Sequence, residues 1–510
     1  MNILLVYPKF PETFWSFSYA LSFIGRKAAF PPLGLLTIAS LLPEEWNKRL
    51  VDLNVEELKN GDLLWADLVF LSSMAVQRKS VVQIIERCQA LQITVAAGGP
   101  LFTSEPEKFP EVDHLILNEA ELTLPLFLAD IQKGKPEKIY HVDGFCDLAS
   151  TPPPQWDLID VKHYASMNIQ FSRGCPFNCE FCNVTTFFGR HPRLKTTGQI
   201  ITELNRIYAT GWRNGIFFVD DNFIGNKEFL KNSLLPAIIE WRRDKKGCVF
   251  FTESSINLAD DPKLLDMMVK AGFDSVFIGI ESPDEMSLAE CHKHQNRNRD
   301  LLESVKRIHR SGLQVMGGFI VGFDSDLPSI FQKQVDFIQK SGIAIAMVGM
   351  LQAPPGTRLF ERLSGENRIA SFFSGDNVDG TTNIIPRMGL DTLLNGYQSI
   401  MKDIYSPANY YRRVRTLLRE LKTPVATMPL NLQRCLSFFR AAMRLGLLGK
   451  ERFHYWQLMF WTLFRRPGQL ALAVTLSIYG HHYRRICELY IYKEQENTLH
   501  DQNRSVTIQK

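Results

Sequence analysis

From its first residue the chain alternates short apolar runs with amphipathic stretches. Asn2–Tyr7, Arg49–Leu53, Asp67–Leu71, Thr94–Ala97 and His114–Leu117 are too short for helices and are bounded by turn or helical signals, which predicts five strands of a doubly wound α/β unit. In such sheets ligands sit beyond the carboxyl ends of the strands. That nominates the loops Pro8–Lys9, Ser72–Met74, Gly98–Pro100 and Asn118–Glu121.

The run Thr151-Pro-Pro-Pro-Gln-Trp156 continues neither a helix nor a central strand and predicts a domain boundary. Six more strands follow at Asn168–Ser172, Gly215–Val219, Val249–Thr252, Ser275–Ile280, Gln314–Ile320 and Ile343–Met350, with amphipathic helices between most of them. This is the pattern of a (β/α)6 partial barrel, whose working residues gather at the carboxyl ends of its strands. Past Pro354-Pro355-Gly356 the strand signal fades, and from about Asp391 Leu, Phe and Arg recur at helical spacing. The expected organisation is an α/β Rossmann-like domain over 1–145, a partial-barrel domain over 146–360 and an α-helical domain over 361–510. The last dozen residues, polar and ending Ser505-Val-Thr-Ile-Gln-Lys510, are expected to be disordered.

Composition adds little on fold class, but charge is unevenly placed. The chain carries +4 overall, of which residues 401–510 hold +11 with 18 Lys/Arg against 7 Asp/Glu, leaving the remainder near −7. An anionic partner is implied for the tail. Nucleic acid or a membrane surface would each fit that sign and the interleaved aromatics; Phe438–Leu448, Phe453–Phe464 and the apolar run Leu470–Ile478 have the composition of an interfacial helix, so membrane contact is the expectation and no nucleic acid is expected. The competing reading is that these side chains simply pack the helical part against the barrel. The N-terminus lacks the basic and long apolar segments of a signal peptide, and no window is long enough to span a bilayer. Nine cysteines without the dense spacing of a secreted scaffold fit a reducing cytoplasm, and the basic C-terminal region adds the expectation of contact at the inner face of the membrane.

The chemistry concentrates in Ser172-Arg-Gly-Cys-Pro-Phe-Asn-Cys-Glu-Phe-Cys-Asn183, where Cys175, Cys179 and Cys182 fall at i, i+4 and i+7 after the first barrel strand. A structural zinc generally closes with four ligands, whereas three thiolates around a 4Fe-4S cluster leave one iron open to a substrate or cofactor. A zinc knuckle completed by His191, or buried core thiols, are the alternatives. Arg190, Arg193 and Lys195, close behind, are read as solvated charges or as partners of a phosphate or substrate. His292 and His294 are read as surface residues, and Cys88, Cys146, Cys248, Cys291, Cys435 and Cys487 as structural thiols.

The cysteine motif resembles the radical SAM (S-adenosylmethionine) superfamily signature CxxxCxΦC, with Phe181 at the aromatic position. The resemblance implies that SAM binds the open iron and is cleaved by one electron to an adenosyl radical. It also implies SAM contacts at the strand ends, here Asp220, Glu253, Glu281, Ser282, Gly318 and Gly322. Ser325 stands where the family's fifth-strand motif has an acidic residue.

An α/β unit ahead of that motif resembles the cobalamin-binding subgroup, with echoes in Pro31-Pro-Leu-Gly-Leu35, Gly98-Gly-Pro100 and Asn118-Glu-Ala-Glu121. The implied cobalamin contacts are Ser72, Ser73, Met74, Gly98, Gly99 and Glu119. The DxHxxG motif is missing, so cobalamin is expected without a protein histidine on cobalt, a state suited to carrying a methyl group from one SAM to a substrate radical. A ligand-free or nucleotide-binding Rossmann unit is the alternative.

Pro154-Gln-Trp-Asp-Leu-Ile159, Gly189-Arg-His-Pro-Arg193, Tyr410-Tyr-Arg-Arg413 and Gly480-His-His482 resemble the branch with a helical C-terminal extension, which includes the hopanoid C-2 methylases. The implied function is a cobalamin-dependent radical SAM methyltransferase acting on an unactivated carbon of a small-molecule or lipid substrate, served by an external electron donor. A cyclase or oxidoreductase without methyl transfer, and a non-catalytic iron-sulfur protein, are the competing functions. No catalytic proton donor is identified from the sequence.

Overall fold

The computed structural model describes residues 1–376, 378–422 and 432–492; the polar C-terminal stretch expected to be disordered lies outside the described residues. The first sheet contains β1 (Asn2–Tyr7), β2 (Asn47–Asp52), β3 (Leu68–Ser72), β4 (Val95–Gly98), β5 (His114–Ile116) and β6 (Ile139–Tyr140). They run parallel in the order β2-β1-β3-β4-β5-β6. Five of the six are the strands the apolar runs predict. The sixth, only two residues long, has no run of its own and is held by pairing with β5. Both faces are buried, because Leu4 and Val6 enter one core while Ile3 and Leu5 enter the other.

The second sheet holds β7 (Met167–Ile169), β10 (Gly215–Phe218), β11 (Val249–Ser254), β12 (Phe273–Glu281), β13 (Gln314–Val321) and β14 (Ala346–Met350), parallel in sequential order, a (β/α)6 partial barrel. Two short strands, β8 (Ser172–Arg173) and β9 (Arg193–Leu194), make a separate antiparallel ribbon. The first barrel strand therefore ends earlier than its apolar run suggests, and the chain turns off at Gln170 to bring Ser172–Arg173 against the far side of the cysteine loop. Along the strands the pleat separates two linings. Ile216, Phe218, Phe250, Val276 and Ile278 enter the core under the helices, while Phe217, Phe251, Phe277 and Gly279 alternate onto the inner face. Phe217 and Phe251 stack there with ring centroids 4.9 Å apart.

The C-terminal helices Leu390–Ile404, Pro407–Glu420, Leu432–Ala441, Arg452–Arg465 and Leu470–Ile486 share one continuous core with the barrel. Tyr405 Oη donates to the Ala346 carbonyl at 2.6 Å, and the fully buried Arg413 guanidinium donates to the Ile404 carbonyl at 2.8 Å. Leu470–Ile478 is packed inward, with Ala473, Val474, Leu476 and Ile478 all buried, so that run is core and not an interfacial face. One excursion has no counterpart in the sequence reading. Between β1 and the helix Leu33–Leu41, residues 14–30 leave the first sheet for the barrel and the C-terminal helices. Phe14 packs between Tyr405 and Tyr483, Trp15 meets Phe277 at 5.3 Å, and Phe30 meets Phe217 at 5.4 Å.

Candidate active site

The cysteine loop is fixed from both ends. At its entry Gly174 adopts φ +95°, and a Cβ there would lie 2.9–3.1 Å from the carbonyl oxygens of Phe188, Gly189 and His191, so only glycine fits. Cys175 N–H donates to the Gly189 carbonyl at 3.3 Å. At its exit Glu180 N–H donates to the Cys291 carbonyl, Leu359 N–H donates to the Glu180 carbonyl, and Arg362 Nε donates to Glu180 Oε1 at 2.7 Å. The thiols of Cys175, Cys179 and Cys182 lie close enough to feel one another's charge. Burial pushes Cys182 up to about 12, with Cys179 and Cys175 adding to the rise and Lys293 opposing it. Asn222 Nδ2 and Gln295 Nε2 point at the sulfurs of Cys175 and Cys179 at 3.9 and 3.8 Å. Among the described residues no three His, Cys, Asp or Glu gather as ligands of one metal ion, Cys175, Cys179 and Cys182 included. Cluster ligation asks for something else, since each thiolate then binds a different iron.

The strand-end residues named for SAM fall into two groups. Glu253 stands at the end of β11, its carboxyl pushed up to about 8 by burial and by Asp221 and Asp220, with Lys293 pulling it down. Glu281, at φ +62°, ends β12 and accepts from Lys293 Nζ at 2.7 Å. Phe181 packs on Phe323 at 6.4 Å and faces Lys293 at 6.0 Å. Gly318 leaves room for the Phe277 ring, which a Cβ would approach to 3.0 Å.

The other group is engaged in the fold. Asp220 is 1% exposed and accepts from Phe171 N–H at 3.2 Å and from both the hydroxyl and the N–H of Ser172, so it orders the turn before the cysteines. Its neighbour Asp221 accepts from Gly174 N–H at 3.1 Å. Burial pushes Asp220 to about 7 and Asp221 to about 6. Ser282 is fully buried and its hydroxyl accepts from Asp284 N–H. Gly322 (φ +105°) donates its N–H to Asp326 at 2.8 Å. Asp326, one position beyond Ser325, is the acid that closes the fifth-strand turn, accepting also from Phe323 N–H and the Ser287 hydroxyl.

A cleft of about 420 Å³ opens between the two sheets. From the first sheet it is lined by Ser72, Met74, Gly98, Gly99 and Glu119, and from the barrel side by Gln170, Arg173, Phe187, Phe188 and Lys195. Gly99, at φ +91°, would put a Cβ 2.8 Å from Ser72 Oγ, so the glycine holds the loops together at the floor. Ser73, beside them, is buried with its hydroxyl unpartnered. Glu119 is taken up in an ion-pair network: Arg193 grips it, Arg173 bridges it to Glu121, and Cys146 N–H donates to it at 2.7 Å. Arg193 and Lys195 are thus paired, the latter with Glu203 at 2.5 Å, and are not the solvated charges of the sequence reading. His294 is exposed, as expected, and His292 stacks on it at 5.7 Å.

Sequence reasoning missed Lys293, and it singled out neither Arg173 and Glu121, which lie in stretches it named, nor Asp221 beside Asp220. Lys293 sits between two histidines that drew attention away from it, and nothing local marks a lysine as buried.

Residues 169–337 match the radical SAM superfamily, and residues 357–496 match a domain of unknown function, DUF4070. An uncharacterized methyltransferase of Synechocystis sp. is 39% identical over 96% of this chain and 92% of its own length. The hopanoid C-2 methylase of Rhodopseudomonas palustris is 32% identical over 98% of this chain and 95% of its own. In fold, the chain resembles the cobalamin-dependent SAM radical enzyme OxsB, solved with aqua-cobalamin and SAM, at a TM-score of 0.62, 16% identity, and coverage of 99% of this chain and 81% of that one. With the cysteine loop at the mouth of a partial barrel and near-complete alignment to both curated relatives, the chain belongs to the radical SAM superfamily, in the family that contains the hopanoid C-2 methylase.

Proposed function

We propose that this protein is a cobalamin-dependent radical SAM methyltransferase that places a methyl group on an unactivated carbon of a small, apolar, lipid-derived substrate. The observation that carries the reading is one shared wall. Arg173, Phe187 and Phe188, which flank the cysteines in sequence, line the same cleft as Ser72, Gly98 and Gly99 of the first sheet. Near-full-length relatives named as methyltransferases support the same reaction.

The residues fit the groups this reaction needs. Three thiols on one short loop, coupled to one another by charge, suit a cluster with one open iron. A glycine floor and the orphaned Ser73 hydroxyl suit a polar-edged ligand lying on the first sheet, where no histidine projects from Ser72–Gln77. When bound, the cluster supplies the electron that cleaves SAM, and cobalamin supplies the methyl group.

The chain's own residues do the rest. An unactivated C–H bond offers no acidic proton to a general base, which is why hydrogen abstraction must open the reaction. Phe217, Phe251 and Phe277 give the inner face an aromatic lining that holds an apolar substrate and keeps water from a radical. Glu253, pushed up to about 8, holds a proton near neutrality at the strand ends. Lys293 supplies the positive charge beside the cysteines. Cytoplasmic placement, an external reductant and contact with the membrane that stores the substrate complete the proposal. Anaerobic turnover with reductant and cobalamin should yield both 5′-deoxyadenosine and S-adenosylhomocysteine; if the second product never forms, methyl transfer is refuted.

A further inference from the structure

The helices Leu432–Ala441 and Arg452–Arg465 form a hairpin, and its outer face is unlike the rest of the surface. Phe439, Met443 and Leu448 come from the first arm and its turn, and Phe453, Phe460 and Phe464 from the second. All are more than half exposed, with Leu448, Phe453 and Phe464 at 77%, 75% and 79%. The spacing is helical on both arms, so each presents a stripe and not scattered side chains. Trp456 joins the stripes: its indole donates to the Gly446 carbonyl at 2.9 Å and its ring meets Phe460 at 5.8 Å. Isolated exposed apolar residues need no explanation, but a continuous aromatic face does.

Charge identifies the occupant. Residues 432–466 hold seven Lys/Arg and one carboxylate, Glu451, which is 3% exposed and paired with Arg484 at 2.8 Å. Arg444, Lys450, Arg452 and Arg465 stand exposed around the stripes, with the Arg452 guanidinium 5.1 Å over the Phe453 ring. Aromatics framed by arginines, with no accessible acid, match a layer of anionic headgroups over acyl chains. No helix among the described residues is long and apolar enough to cross a bilayer. We infer that this hairpin lies on the surface of an anionic bilayer.

The position of the hairpin ties the surface to the substrate, and for that purpose the inference rests on the reading of a lipid-derived substrate. Arg440 donates to the Phe23 carbonyl and Arg444 to Ser22 Oγ, fixing the hairpin to the excursion of residues 14–30. That same excursion delivers Trp15 and Phe30 to the aromatic inner face of the barrel. The membrane-facing helices and the candidate substrate wall are thus joined by one short stretch of chain.

The test is flotation of the full-length, anaerobically reconstituted protein with phosphatidylglycerol vesicles and with phosphatidylcholine vesicles. The protein should rise with the anionic vesicles, and raising salt from about 0.1 M to about 0.5 M should release it. The variant Phe439→Ser/Phe460→Ser/Phe464→Ser, and separately Lys450→Glu/Arg452→Glu, should each bind about tenfold more weakly or worse. These side chains are exposed, so melting temperature and SAM cleavage should stay as in the parent. Failure of the parent to float, or equal flotation of both variants, overturns the inference. So does a parent that ignores vesicles but sediments as a dimer which the triple variant dissolves, since the face would then cover a second copy. Flotation without any S-adenosylhomocysteine would instead refute methyl transfer and leave the membrane surface standing.

Discussion

Arg193 grips Glu119 with both arms of its guanidinium, Nη1 to Oε2 at 2.9 Å and Nη2 to Oε1 at 2.9 Å, and so clamps the first sheet to the cysteine-bearing ribbon of the barrel. The pair is bidentate and nearly dry, with 18% and 2% of the side chains exposed. Its Glu119 lines the cleft between the two sheets.

Removing one partner leaves the other charge buried. Glu119 would keep Arg173 and the Cys146 amide, so Arg193→Ala should lose ~1–3 kcal/mol of stability, read as a fall in melting temperature. An unchanged melting temperature would mean that the clamp is not formed in solution.

The same network fixes a pH dependence. Burial pushes Glu119 up, but hydrogen bonds from Arg193, Cys146 and Arg173 outweigh it and hold the carboxyl below its usual range. Glu121 is held down likewise, its burial outweighed by Arg173. A depressed carboxyl stabilises the fold above its unfolded pKa and loses that contribution as pH falls through the folded value. The stability advantage of the parent over Glu119→Gln should therefore stay constant from about pH 7 to about pH 5 and shrink only below about pH 4. Denaturant melts across that range measure it.

Asp220 should control cluster loading without touching the cluster. Its carboxyl gathers the Phe171 and Ser172 amides and the Ser172 hydroxyl, each such bond contributing roughly 0.5–1.5 kcal/mol. Asp220→Ala should leave the sheets folded by circular dichroism while iron per chain falls several-fold. Full iron content in that variant would refute the role.

Lys293 and Glu281 make a buried pair, 12% and 8% exposed, beside the cysteines. Lys293→Met should lose ~3–5 kcal/mol because Glu281 is left without a counter-ion. Adding Glu281→Gln should recover most of that loss, giving a large coupling in a double-mutant cycle. Additive losses would show that the two side chains do not depend on each other.

Gly322 separates a packing role from a ligand role. At φ +105°, with a Cβ that would fall 2.9 Å from Leu393, alanine should lose ~1–3 kcal/mol in urea melts with or without SAM. A loss confined to SAM-loaded protein would assign the glycine to the ligand.

Much of this was legible in the chain itself. Runs of apolar residues at sheet spacing placed eleven of the strands to within a few residues, because burial on both faces of a parallel sheet demands such runs. The interval Cys175, Cys179, Cys182 named the candidate cluster loop, since it is a property of consecutive residues. Tertiary structure decided what depends on distant partners. Nothing local ties Glu119 to Arg193, 74 residues on, which takes both its oxygens. Lys293 is an ordinary lysine until the fold sets it beside Cys179. The aromatic and apolar stretches of the tail look alike in composition, yet Leu476 is fully buried and Phe453 is three-quarters exposed. Local pattern fixes which elements form, because hydrogen bonding and burial within an element are short-range. Which face is covered, and which charge is answered, depends on surfaces that meet only once the chain has folded.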